Sequence, residues 1–122
     1  RGTTSVKIVE LMRQAGAQEV HMKIASPPIK YPDFYGIDTP EKAQLLASLK
    51  SEEEMATYIG ADSLSFLSVD GLYRAMGHEK GRDDNNPEFT DHCFTGDYPT
   101  PLEDNNIAWL FETSQLSVRN EN

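Results

Sequence analysis

With one cysteine among 122 residues, the chain cannot form an internal disulfide. It also lacks any apolar run near the ~20 residues needed to span a bilayer, and no segment has the anatomy of a secretory signal. A membrane role is therefore not expected. The lone thiol without a leader points to a reducing compartment, most simply the cytoplasm. Positive charge is scarce too: 11 basic residues face 20 acidic ones, for a net charge of −9. Nucleic acid, which requires a basic footprint to displace counterions, is not an expected partner. The deficit is local, because residues 78–106 hold eight carboxylates against only Lys80 and Arg82. The first 30 residues carry Arg1, Lys7, Arg13, Lys23 and Lys30 against Glu10 and Glu19, so an anion site at that end fits an acidic whole.

What is present suits one soluble-type domain. The length excludes two ordinary domains, and 38% hydrophobic with 25% charged residues is globular rather than disordered composition. Residues 5–15 place Ile8, Leu11, Met12 and Ala15 on one apolar helix face, with Gly16 where a left-handed cap would end it. Glu19 to Ser26 alternates Val20, Met22 and Ile24 with His21 and Lys23, the period of a half-buried strand. Prolines at 27, 28 and 32 predict an irregular, stiff loop over 27–39. Thr39-Pro40-Glu41 reads as an N-cap, a first-turn proline and an acidic first turn, predicting a helix to about Leu49. Ser51-Glu-Glu-Glu54 is a capping-box pattern for a helix closing at Gly60. A second strand is predicted at Leu64–Ser68, a short helix from Asp70 to Met76, and a mobile polar loop from Gly81 to Asn86. Ile107, Trp109, Leu110 and Phe111 make the end too apolar for a free tail, so docking is expected there. Two strands and four short helices form a thin core. Together with an opening on Arg1 rather than Met, this predicts a piece of a larger α/β domain.

Arg1-Gly2-Thr3-Thr4 carries the chemistry. Gly2 lets the backbone turn close to an anion, and the amides of Thr3, Thr4 and Ser5 open the helix at its positive end. Threonine hydroxyls add donors and Arg1 adds charge. The same four residues also suit a threonine that merely caps a helix. His21, His78 and His92 are scattered without metal-ligand spacing, and Asp91-His92-Cys93 is read as holding a small buried thiol. Asp83-Asp84-Asn85-Asn86 lacks the glycine and terminal glutamate of a calcium loop and reads as a solvated turn.

The succession RGTTSVKIVELMRQAGAQEVHMKIASPPIKYPDFYGIDTP, IGADSLSFLSVDGL and CFTGDYP resembles the glutamine amidophosphoribosyltransferase family, over nearly the whole chain to about Pro101. The resemblance implies the C-terminal part of a type I phosphoribosyltransferase (Rossmann-like) α/β domain, lacking the first strands. On that frame, 1–77 is the domain part and 78–122 an acidic C-terminal extension, docked in part. The family's enzyme converts 5-phosphoribosyl 1-diphosphate (PRPP), glutamine and water to 5-phosphoribosylamine, pyrophosphate and glutamate, the first step of de novo purine biosynthesis. Arg1, Gly2, Thr3 and Thr4 match the end of its PRPP motif, so the resemblance gives them the 5′-phosphate. It assigns no catalytic residue to this chain, which is expected to be inactive alone.

Partners implied by the resemblance are PRPP and purine nucleotides, the glutaminase domain of the same enzyme, and further copies in a homo-oligomer when intact. Mg²⁺ is implied with PRPP, on an acidic pair that would lie just before Arg1. Loop 27–38 is expected to line the cleft beyond the strand ends. Some members carry a [4Fe–4S] cluster. Here Asp33 occupies one of its cysteine positions and only Cys93 remains of the others, so no iron–sulfur cluster is expected and loop packing replaces it. The rival reading is a non-catalytic phosphoribosyl- or nucleotide-binding regulatory module on the same scaffold.

Overall fold

The computed structural model describes residues 2–39 and 42–102. Helix α1 (Thr3–Gln14) begins two residues earlier than its periodicity predicts, because Gly2 turns the chain directly into it. It ends as predicted at Gly16, where Ala17 N–H bonds to Met12 C=O and Gly16 N–H to Arg13 C=O, each 3.0 Å, closing the last turn. Its apolar face is not the buried one. Ile8, Leu11 and Met12 are 42%, 61% and 51% exposed, while Val9 is buried beside Gly60. Periodicity identifies an apolar stripe, but the position of the neighbouring helix decides which residues it covers.

Strands β1 (His21–Ile24) and β2 (Ser63–Phe66) form a two-stranded parallel sheet, with His21 opposite Ser63 and Ile24 opposite Phe66. Both alternate, sending Met22 and Ile24, then Leu64 and Phe66, toward the interior. A parallel pair needs a crossover. It runs through loop 27–39, a 3-10 turn (Lys42–Gln44), helix α2 (Leu46–Leu49) and helix α3 (Glu52–Ile59). The single helix predicted up to Leu49 is therefore broken. Leu45 adopts an extended backbone between the two pieces, and its side chain is buried. Thr39, predicted as the N-cap, accepts a hydrogen bond from Asp33 N–H at 2.8 Å instead; Pro40 and Glu41 lie outside the described residues.

Helix α3 has the full predicted capping box: Ser51 Oγ accepts from Glu54 N–H, and a Glu54 carboxylate oxygen accepts from Ser51 N–H at 2.7 Å. It packs on β2 and on α1, burying Met55, Ala56 and Ile59 with Val9 and Leu45. At the far end of α1, Arg13 donates to Gly60 C=O and to the Asp62 carboxylate, which also accepts from Val20 N–H. One acid thus joins a helix end to the starts of both strands.

Helix α4 (Val69–Ala75) is capped by Ser68 Oγ, which accepts from Gly71 N–H, and buries Tyr73 against Phe89. The stretch predicted as a mobile polar loop contains instead a buried arginine. Arg82 pairs with Asp84, Asp91 and Asp97 at 2.6–2.8 Å, and its backbone N–H donates to Asp70. Around it, Asp83 to Asn86 forms the exposed turn the sequence predicts. Helix α5 (His92–Thr95) follows. The apolar 107–111 segment, expected to dock, lies outside the described residues.

Candidate functional site

Beyond the C-terminal ends of β1 and β2 lies a hollow of about 380 Å³, reached by Gly2 and Ser5 from α1, by Ser26, Pro27 and Ile29 from the loop, and by Leu46. Gly2 has φ 79, the left-handed region that only glycine occupies without strain. A Cβ there would stand 3.0 Å from Leu46 Cδ2 and 3.2 Å from Tyr58 Cε1. The first helical bond of α1 runs from Val6 N–H to Gly2 C=O, at 3.0 Å. The amides of Thr3, Thr4 and Ser5 precede it and have no carbonyl one turn earlier in the helix.

Gly2, not a threonine, occupies the N-cap, and no side chain caps this helix. Thr3 and Thr4 stand within the first turn with exposed side chains, so the capping alternative does not describe them. Three of the four residues singled out from the sequence thus sit together at one helix start, while Arg1 lies outside the described residues. The arrangement offers amide and hydroxyl donors at the positive end of a 12-residue helix. Those donors suit a phosphate and not a hard cation, which takes anionic oxygen ligands. Loop 27–38 approaches this hollow through its first residues, Pro27 and Ile29.

The rest of that loop turns to a second cluster, where Asp33 and Cys93 meet His92, which the sequence did not place there. Asp33 and His92 are only 9% and 6% exposed, and Asp33 Oδ1 accepts from His92 Nε2 at 2.5 Å. Asp33 Oδ2 accepts from Ile37 and Tyr35 N–H, at 2.8 and 2.9 Å. The Ile37 bond leads in holding this carboxyl below the usual range, helped against burial by His92 and Tyr35. Cys93, half-buried rather than enclosed, is adjacent; burial and then the Asp33 charge push its thiol up. Potential ligand atoms of Asp33, His92 and Cys93 lie within 4.8 Å of one another.

The neighbour of His92, Asp33, is 59 residues away in sequence. His21 contacts the Glu19 carboxylate and the Ser63 hydroxyl, and His78 the Glu88 carboxylate. Aromatic rings enclose His92, with Tyr35 edge-on at 5.0 Å and Tyr98 at 5.1 Å. Lys30 and Tyr31 N–H both donate to Cys93 C=O, and Tyr98 Oη to Pro32 C=O, so α5 and the loop are bound as one unit.

Known proteins similar to this chain in sequence and fold are consistent in kind. The chain is 63% identical over 107 residues to an amidophosphoribosyltransferase of Rhizobium etli, a match covering 87% of this chain and 21% of that protein. It is 55% identical over 102 residues to the amidophosphoribosyltransferase of Bacillus subtilis, covering 84% of this chain and 21% of the relative. The solved structure of glutamine PRPP amidotransferase from B. subtilis, complexed with ADP and GMP, superimposes with a TM-score of 0.73 at 53% identity, over 85% of this chain and 22% of that one. No protein-family model matches the chain. The chain spans about a fifth of the length of the relatives it matches. Its α/β fold, with a small parallel sheet, is that of part of their structure.

Proposed function

From its membership of the amidophosphoribosyltransferase family, we propose that this chain is the part of such an enzyme that grips the 5′-phosphate of PRPP. The observation that carries the proposal is the helix start at Gly2, which has no side-chain cap, carries two exposed threonines in its first turn, and borders through Gly2 and Ser5 the hollow at the carboxyl end of the sheet. The intact enzyme would convert PRPP, glutamine and water to 5-phosphoribosylamine, pyrophosphate and glutamate, the first step of purine synthesis.

Within that reaction, this chain's contribution is positional. The amides of Thr3, Thr4 and Ser5 bind the phosphate oxygens, the threonine hydroxyls orient them, and Arg1 adds charge. Displacement at the anomeric carbon depends mostly on holding the donor in line and screening the departing charge. Mg²⁺ would supply that screening from carboxylates outside this chain, and the glutaminase domain would supply ammonia. Purine nucleotides carry the same 5′-phosphate, and the B. subtilis relative is complexed with ADP and GMP. The same cradle therefore serves nucleotides. A cytoplasmic enzyme and a homo-oligomeric assembly complete the proposal; no helix among the described residues is long and apolar enough to cross a membrane.

The test is Thr4→Val in the intact enzyme. Loss of one hydroxyl donor to a charged phosphate should weaken PRPP binding by about 1–3 kcal/mol. Unchanged affinity would remove Thr4 from the cradle.

A further inference from the structure

We propose that Lys50 is a further phosphate-binding residue of the Gly2 cradle, bringing a movable positive charge to it across the ring of Tyr58. The assignment rests on the phosphate reading of the helix start and extends it to a residue from another element.

Two side chains from the crossover touch Gly2. The position a Cβ would take there lies 3.0 Å from Leu46 Cδ2 and 3.2 Å from Tyr58 Cε1. Lys50 is tied to both residues. Its backbone N–H donates to Leu46 C=O at 3.0 Å, closing helix α2, and its ammonium stands 5.9 Å from the centroid of the Tyr58 ring. The next residue, Ser51, is fixed as the N-cap of α3, so hydrogen bonds set the backbone on either side of Lys50. One ring therefore meets Gly2 at its edge and the ammonium over its face, within the range of a cation–π contact.

Lys50 is also uncommitted to any carboxylate. Glu52, Glu53 and Glu54 follow it in the first turn of α3, yet among the described residues Lys50 forms no ion pair. Glu54 accepts from Ser51 N–H instead. Lys50 and Tyr58 are both exposed, so an anion arriving at the helix start meets them from solvent.

The charge is what the helix start lacks. Amides at the head of a helix offer directed donors but only a partial charge, whereas a phosphate monoester carries nearly two negative charges near neutral pH. Lysine suits the task, being a compact cation with three donors on a flexible four-carbon stem. An exposed cation–π contact is weak, and a phosphate competes for the ammonium with full opposite charge. The Tyr58 ring thus keeps the ammonium beside Gly2 and gives it up when the anion binds.

The experiment is equilibrium titration of the intact enzyme with PRPP and Mg²⁺, at low and at high salt. Lys50→Met keeps most of the stem and removes the charge. It should weaken binding about 3- to 10-fold at ~50 mM salt, and the difference from wild type should shrink to within about twofold at ~0.5 M. Lys50→Arg should restore most of the affinity. Tyr58→Phe, which keeps the ring, should bind as wild type does. Tyr58→Leu should weaken binding, and should do so less in a Lys50→Met background, because the two residues act together. Unchanged affinity in Lys50→Met at low salt, or a loss that persists at high salt, overturns the assignment. Thr4→Val separates this from failure of the cradle itself. If Thr4→Val weakens binding and Lys50→Met does not, the cradle stands without Lys50; if neither does, both fall.

Discussion

Gly2 combines two demands that no residue type but glycine meets together: a left-handed φ of 79 and a Cα hydrogen pointing at Leu46 and Tyr58. The side chains it faces end in flexible atoms that can yield a few tenths of an ångström, so the backbone term dominates. Forcing an alanine into that conformation costs about 1–2 kcal/mol. If the residue instead relaxes to negative φ, the amides of Thr3 to Ser5 are re-aimed. Gly2→Ala in the intact enzyme should weaken PRPP binding roughly 5- to 30-fold on that account, as read by equilibrium titration. Undiminished affinity would mean that the cradle does not depend on this turn. The glycine and its threonines were legible in the sequence because the relevant chemistry is local: a turn, a helix start and free amides within five residues. Asp33 and His92 were not, since nothing in a run of 122 letters pairs positions 59 apart.

Among the elements, those closed by short-range hydrogen bonds followed their sequence signals. Ser51 and Glu54 form the predicted box, and Gly16 and Gly60 end their helices as expected. The departures came where tertiary contacts overrode local preference. Leu45 interrupts the helix predicted after Thr39 by turning into the core. Arg82 converts an apparent solvated loop into an anchor between α4, the turn at Asp84 and the Asp91 start of α5. Its guanidinium Nε donates to Asp91 Oδ2 at 2.6 Å, and Tyr73 Oη donates to the same oxygen at 2.7 Å. Removing the arginine leaves Asp91 buried with too few partners. Arg82→Ala should therefore destabilise the fold by about 3–5 kcal/mol in denaturant unfolding. Arg82→Lys should fall between, because an ammonium keeps the charge but cannot present the planar fork. A loss below about 1 kcal/mol would place the arginine in the class of exposed ion pairs.

For the molecule as a whole, the acid limb of stability reflects, among the described residues, three carboxylates whose folded pKa values are depressed: Asp33, Asp62 and Asp91. Hydrogen bonds from Ile37 N–H to Asp33 and from Val20 N–H to Asp62 are the leading causes there. Burial opposes ionisation of Asp91, but hydrogen bonds from Arg82 and Tyr73 outweigh it. A depressed folded pKa means that the unfolded chain takes up protons first. Their contribution is thus complete above the ordinary carboxylate range and is lost as pH falls through about 4. At the other extreme, burial leads in pushing Tyr98 up to about 12. The unfolded phenol ionises first, near 10, so stability should fall again as pH rises from there toward 12. Melting temperature against pH should show a plateau with both edges. An acid edge absent down to pH ~3 would contradict the carboxylate assignments.

The sequence by itself determined the α/β class, the positions of α1, β1, α3, β2 and α4 to within a few residues, and the glycine-led helix start at Gly2, Thr3 and Thr4. Each rests on periodicity, capping or turn chemistry within about one helical turn. Tertiary structure alone decided which face of α1 is covered, how Arg82 gathers Asp84, Asp91 and Asp97, and that His92 packs against Asp33. The physical reason is that burial and charge pairing depend on which residues the folded chain brings together, and sequence distance carries no record of that.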